Sequence, residues 1–311
     1  LFTRLLDLLT IFLAISPVFA IILMGYGLRH GGIPSIEFWN FNDRLVYRVL
    51  MPALFFAKIS AADLGGGLSD YAFLLYAGFF AAIFCGWLLG HGIQAPQASS
   101  LVQGSARFNT FIGLAIAEAV YGAQGLQLAV LGSALLVPVV NITVVTLMAR
   151  QLGGGGKLIL VGLVKNPLIL SICAGALFNL AGLSEVPVLH ETARLLGNAA
   201  LPIMLLCVGA NLKLRGLSRS KRTIGYSMVG KFLISPIAVI LAALVLSSDP
   251  LLVQVALIFA ALPTGAASYT LAREMRGDAP LMAAIITMQT LLSFITLPLT
   301  LLLGQIALSV N

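Results

Sequence analysis

Apolar residues run along this chain in long blocks, and polar residues gather in the short gaps between them. Ten blocks can be drawn, at 8–28, 41–61, 71–90, 98–121, 124–149, 157–181, 188–212, 223–247, 250–272 and 279–309. Most are close to the roughly 20 residues an α-helix needs to cross a bilayer. The gaps are rich in glycine, proline and charge, as in Arg29-His30-Gly31-Gly32 and Arg219-Ser220-Lys221-Arg222. The pattern predicts an all-α polytopic membrane protein with ten transmembrane helices. The first block is too long for the apolar core of a typical signal sequence, so it is expected to remain a helix.

Composition agrees. Only 9% of the 311 residues are charged, against about 25% in soluble domains. Hydrophobic residues make up 59%, and mean hydropathy is +1.04. So few charges cannot cover a globular surface, which excludes a soluble enzyme, a disordered chain and a nucleic-acid-binding module. Cys85, Cys173 and Cys207 lie in apolar runs with no C-x-x-C pair, and His30, His91 and His190 stand far apart. They read as packing residues rather than metal ligands, and no cofactor is expected. No H-E-x-x-H, G-x-S-x-G or Walker pattern occurs, so neither an enzyme nor an ATP-driven pump is expected.

The two halves of the chain repeat at an offset of 150. Pro17, Ile22, Gly25, Gly32, Arg44, Leu45 and Pro52 recur as Pro167, Ile172, Gly175, Gly182, Arg194, Leu195 and Pro202. The prolines and glycines carry most weight, because they mark particular backbone conformations. Further along the offset drifts to about 154, by the spacing of Asn109-Thr110 and Pro263-Thr264. The division expected is 1–149 for the first five-helix repeat, 150–156 for a central Gly-rich cytoplasmic loop, and 157–311 for the second repeat. Five helices is an odd number, so the second copy enters the membrane from the other side, as in the inverted repeats of secondary transporters.

The net charge of +7 fits the basic bias of cytoplasmic loops. With an external N-terminus, the cytoplasmic side holds Arg29, Arg44, Arg48, Arg150, Lys157, Lys213, Arg215, Arg219, Lys221, Arg222, Arg273 and Arg276. The outer side holds Arg4, Lys58 and Arg194. Both termini are then external.

Three cations remain inside the blocks. Lys165 and Lys231 lie near enough to block ends to snorkel to the interface. Arg107 lies near the middle of the fourth block, where a charge needs a polar cavity or a partner. It is followed by Phe108-Asn109-Thr110-Phe111-Ile112-Gly113, and Asn and Thr are good helix N-caps. The ninth block carries Ala261-Leu262-Pro263-Thr264-Gly265, where the proline should break the helix. Two broken helices at matching repeat positions point to a transporter site whose helix N-termini hold an anion. Arg107 would add a charge-assisted contact to a carboxylate. The candidate binding residues are Arg107, Asn109, Thr110, Asn141, Pro263, Thr264 and Gly265. The mid-block amides Asn141 and Gln289 either line the cavity or bond another helix. Glu118 reads as an interfacial carboxylate.

Four stretches resemble a known family. They are Gln103 to Ala115, Leu136-Val137-Pro138-Val139-Val140-Asn141, Lys165-Asn166-Pro167-Leu168-Ile169-Leu170 and Ala200-Leu201-Pro202-Ile203-Met204-Leu205-Leu206. Together they resemble bacterial members of the auxin efflux carrier family. The resemblance implies a fold like the plant PIN-formed auxin carriers and the bile acid–sodium symporters. In that fold helices 1, 2, 6 and 7 form a scaffold, often dimeric, and helices 3–5 and 8–10 form a mobile transport domain. Helices 4 and 9 are broken and cross at the substrate. The first crossover here has Asn109 without a neighbouring proline, unlike the plant pattern, and the plants' long cytoplasmic loop is absent.

The expected function is secondary active transport of small organic anions, such as malonate, malate or an auxin-like acid. An elevator motion follows from the resemblance. Partners expected are the anion, membrane lipid, a coupling proton or sodium ion and a second copy of the chain, in a bacterial inner membrane. The alternatives are a sodium-coupled symporter of bile-acid or keto-acid type, and a non-transporting membrane receptor.

Overall fold

A computed structural model describes residues 2–62, 67–152, 166–214, 220–246 and 249–309, and all regular structure among them is helical. Helix α1 spans Phe2–His30. Helix α2 runs from Ile36–Leu45 through a π-helical turn at Val46–Leu50 into Met51–Ser60. Then come α3 (Leu68–Leu89), α4 (Ala95–Ala106) and α5 (Thr110–Leu152), the last kinked at Gly122 (φ 61°, ψ −150°). Helices α6 (Pro167–Leu180) and α7 (Leu189–Ala210) follow. Helix α8 runs from Lys221–Val229 through a second π turn at Gly230–Ile234 into Ser235–Leu246. The chain ends with α9 (Pro250–Ala261), α10 (Ala267–Glu274) and α11 (Ala279–Leu308).

Among the described residues six stretches are long and apolar enough to cross a membrane: Asp7–His30, Leu68–Leu89, Ala95–Arg150, Leu189–Ala210, Lys221–Leu246 and Ala279–Leu308. Pro167–Leu180 and Pro250–Ala261 are apolar but shorter. The periphery is apolar too: Leu180 is 79% exposed and Val245 82%, an arrangement suited to lipid rather than water. The Gly153–Gly156 run and Lys157, Lys165, Arg215 and Arg219 lie outside the described residues.

The ends of α1 and α6 are built alike. The Ile33 N–H donates to the Leu28 carbonyl at 2.9 Å, and the Leu183 N–H to that of Phe178 at 2.9 Å. Gly32 (φ 74°) and Gly182 (φ 69°) make the left-handed step in each case. Glycine takes that conformation without a Cβ clash, which is why it closes such helix ends.

Close packing also recurs between the halves. Gly25 of α1 sits directly on the Leu206 backbone of α7, and Gly209 of α7 on the Ile22 backbone of α1. Gly175 of α6 sits against α2, where a Cβ would lie 3.2 Å from the Phe56 carbonyl oxygen and 3.1 Å from Ile59 Cβ. The pairs Gly25–Leu206 and Gly175–Phe56 exchange under a shift of 150 residues. On the other side, the Tyr71 and Tyr76 hydroxyls of α3 donate to the Leu128 and Leu135 carbonyls of α5 at 2.9 and 3.2 Å.

Every residue from Ala98 to Ala106 in α4 and from Val253 to Ala261 in α9 is buried. Both helices end inside the protein. Free backbone groups are tolerated at such depth only where protein or a polar cavity surrounds them.

Candidate functional site

The site is made by the two interruptions. After α4, Arg107 turns extended (φ −68°, ψ 153°), and after α9 Leu262 does the same (φ −65°, ψ 142°). The Asn109 N–H donates to the Pro263 carbonyl at 2.7 Å, joining the two breaks backbone to backbone. Gly265 lies against the Phe108–Asn109 backbone, where a Cβ would be 2.9 Å from the Phe108 carbonyl oxygen. Gly113 lies against Leu262 in return, with 2.6 Å from its Cβ position to Leu262 Cδ1. The helix breaks fully at Asn109 without a proline. A proline there would remove the donor that Pro263 accepts.

Each break is then fastened by side chains. Asn109 Oδ1 accepts from the Phe111 and Ile112 N–H groups at 3.1 and 3.3 Å, capping α5. The Thr264 hydroxyl lies 2.8 Å from Gln289 Oε1, 3.0 Å from the Gly104 carbonyl and 3.3 Å from that of Arg107. Its one proton serves a single acceptor at a time. Gln289 Oε1 also accepts from the Thr264 N–H at 2.9 Å, while Nε2 donates to the Gly104 carbonyl at 2.8 Å. The last carbonyl of α4, on Ala106, accepts from Lys231 Nζ at 3.1 Å. Orphan carbonyls are the expected liability of a helix that stops inside a protein, and these groups answer it.

Other polar groups stay open. Among the described residues Arg107 Nη1 is buried without a hydrogen-bond partner, as are both amide atoms of Gln103 and the Ser268 hydroxyl. The Ala266 and Ala267 N–H groups at the start of α10 find no acceptor among the described residues, and Ala267 is exposed. Among these residues the one ion pair is Arg194–Glu191, 3.3 Å apart on the surface, so Arg107 has no carboxylate of its own. Its electrostatic neighbour is Tyr47, in the π turn of α2. Lys231 sits in the other π turn. Single π turns inside α-helices are frequent at functional sites.

A guanidinium with a free donor can hold a carboxylate through paired N–H groups, and a helix N-terminus can hold one through backbone N–H groups and its positive dipole.

Six of the seven candidate residues therefore fall in one place. Asn109, Thr264 and Gly265 hold the crossing together, Thr110 starts α5 and is buried, and Pro263 supplies the accepting carbonyl. Asn141 is half-buried in α5, and no hydrogen bond joins it to the crossing. Glu118 is exposed. Gln103 and Ser268, with buried polar atoms that lack a partner among the described residues, and Lys231, bonded to the end of α4, are further candidates whose role the pattern of blocks did not single out. Gln103 stands four residues before Arg107, which ends α4, a spacing that puts the two near one helical face; that signal was in the sequence. Ser268 lies in α10 and Thr264 in the break before it, so no helical spacing links that pair. Lys231 does not snorkel, because the π turn carries it inward.

A family model described as membrane transport protein matches residues 10–301. A Methanothermobacter thermautotrophicus protein named "Uncharacterized transporter" is 27% identical over 291 residues, covering 91% of this chain and 94% of the relative. A Rhizobium meliloti protein named "Putative malonate transporter" is 28% identical over 303 residues, covering 91% and 92%.

Proposed function

This chain belongs to the membrane transport protein family, the family its motifs resemble, and from that premise we propose that it is a secondary active carrier of small organic anions, with malonate-like carboxylates foremost. It is a membrane transporter rather than an enzyme. The observation that carries the anion reading is Arg107, whose backbone ends α4 at one of two helix breaks that are hydrogen-bonded to each other and whose guanidinium Nη1 has no partner among the described residues. The name of the Rhizobium meliloti relative supports the choice of malonate as first ligand.

The architecture proposed is ten membrane-crossing helices in two inverted repeats, 1–149 and 157–311. The like-built ends of α1 and α6 and the exchanged contacts Gly25–Leu206 and Gly175–Phe56 support it. The mobile unit contains α3–α5 and α8–α11, the scaffold α1, α2, α6 and α7, and the two slide past one another. A homodimer forms through the scaffold, and the carrier sits in a bacterial inner membrane with both termini outside.

A thermal-shift screen of the purified protein against small carboxylates tests this reading. Ligand that binds only the native state raises stability by RT ln(1 + [L]/Kd). Malonate is expected to raise Tm and an uncharged diamide of the same size is not. Equal shifts from the two, or none from any carboxylate, would remove the anion reading.

A further inference from the structure

Lys231 is 1% exposed, and its Nζ donates to the Ala106 carbonyl at 3.1 Å. That carbonyl is the end of α4, the negative pole of a helix that stops inside the protein. A small cavity beside it, reached by Phe79, Phe108 and Phe259, has room for about one water. An ammonium has three protons to donate, and one of them has an acceptor among the described residues.

Among the described residues no counter-charge faces it. The turn packs on α3, α4 and α9. Helix α3 carries Asp70, Tyr71, Tyr76 and Cys85, and none of these lines the cavity. Helices α4 and α9 carry no titratable side chain, and the charge that follows α4 is the cation Arg107. In discontinuous helices the C-terminal half-ends are where coupling cations are held. Here the position is filled by the protein's own cation. Lysine differs from arginine at such a place, because its amine can lose and regain a proton.

We propose that Lys231 is the coupling residue of this carrier: it holds the co-transported proton at the end of α4, where a sodium ion would otherwise sit, and makes anion transport proton-linked and sodium-independent. The proposal rests on the reading of the chain as an anion carrier. In one half of the cycle the ammonium gives a proton to a water beside it and keeps the nitrogen lone pair. In the other half the amine takes a proton back. The charged form grips the Ala106 carbonyl and the neutral form loosens it, so the hold on the broken helix follows the proton.

Proteoliposomes containing the whole chain and radiolabelled malonate test this with two readouts, exchange without a gradient and accumulation driven by an imposed pH gradient. Wild type should accumulate malonate with or without sodium. Lys231→Gln and Lys231→Arg should lose gradient-driven accumulation while exchange persists at a reduced rate. Accumulation in either variant that matches wild type, or a sodium requirement in wild type, would overturn the proposal. Absence of exchange in wild type would sink the carrier reading itself, a distinct result. If the variants do not fold, wild type still decides: malonate binding in weakly buffered detergent solution must take up or release protons and ignore sodium. Binding without proton movement overturns the proposal.

Discussion

Asn109 and Pro263 meet through a single backbone hydrogen bond of 2.7 Å, and that bond is the hinge pin of the site. One residue supplies an N–H because it is not proline. The other leaves its helix because it is. Asn109→Pro should therefore cost both the bond and the side-chain cap on Phe111 and Ile112. A buried group left unpaired costs about 1–3 kcal/mol and a lost N-cap about 1 kcal/mol. The expected result is a clear fall in Tm together with loss of the malonate-induced shift, read by thermal unfolding with and without ligand.

Arg107→Ala separates binding from folding. Among the described residues the guanidinium has an unfilled donor and no ion-pair partner, so its removal takes away a partly buried charge instead of breaking a network. Tm without ligand should hold or rise. Malonate affinity should fall by about 10-fold to 150-fold, the range set by about 1.5–3 kcal/mol for hydrogen bonds to charged groups. Isothermal titration checks this, and unchanged affinity would take Arg107 out of the site.

Gln289→Leu should behave in the opposite way. It removes the acceptor of the Thr264 N–H, while the Gly104 carbonyl keeps the Thr264 hydroxyl within reach. The expected loss is about 1–3 kcal/mol of stability for the buried N–H left without a partner, measured as a lower denaturation midpoint before any ligand is added.

Gly265→Val puts a branched side chain where a Cβ alone would stand 2.9 Å from the Phe108 carbonyl oxygen. Overpacking of this kind costs about 1–3 kcal/mol. The two breaks should be driven apart, with transport lost. A Gly225→Ala control, where nothing lies within 4 Å of the added Cβ, should keep or slightly raise Tm, because alanine is the better helix former, and leave transport as it was.

Ser268→Ala and Gln103→Leu test whether the unpartnered polar groups serve the ligand. Neither makes a hydrogen bond to give up. Each should keep or raise Tm and weaken malonate binding, a pairing that a merely structural side chain does not produce.

The ends of nearly every helix could be read from glycine, proline and charge, because those residues act locally. Gly32 and Gly182 announce their left-handed steps, and Pro263 its break. The crossing itself was legible as two matching interruptions. What the sequence withheld were relationships set by three-dimensional packing. Asn109 looks like a plain N-cap, and nothing local says that its N–H finds Pro263. The distance of Lys231 from a block end suggested an interfacial side chain. Only the added residue of a π turn, which apolar periodicity does not register, brings it to Ala106. Asn141 shares a polar amide and a mid-block position with Gln289, yet only Gln289 faces the crossing.

The two π turns have a consequence for how α2 and α8 can change. A π turn holds one residue more than the α-helix would use, so it advances the angular phase of everything beyond it by about 100°. Each of these helices is in effect two wheels on one axle, set out of step. Deleting one residue between 230 and 234 would bring the wheels back into step. The residues on one side of the deletion would then swing by that angle against their neighbours, and Lys231 could not keep both its height and its bearing on Ala106. A single inserted or lost residue there is a larger alteration to the protein than most substitutions, although it changes the length of α8 by only about 1.5 Å.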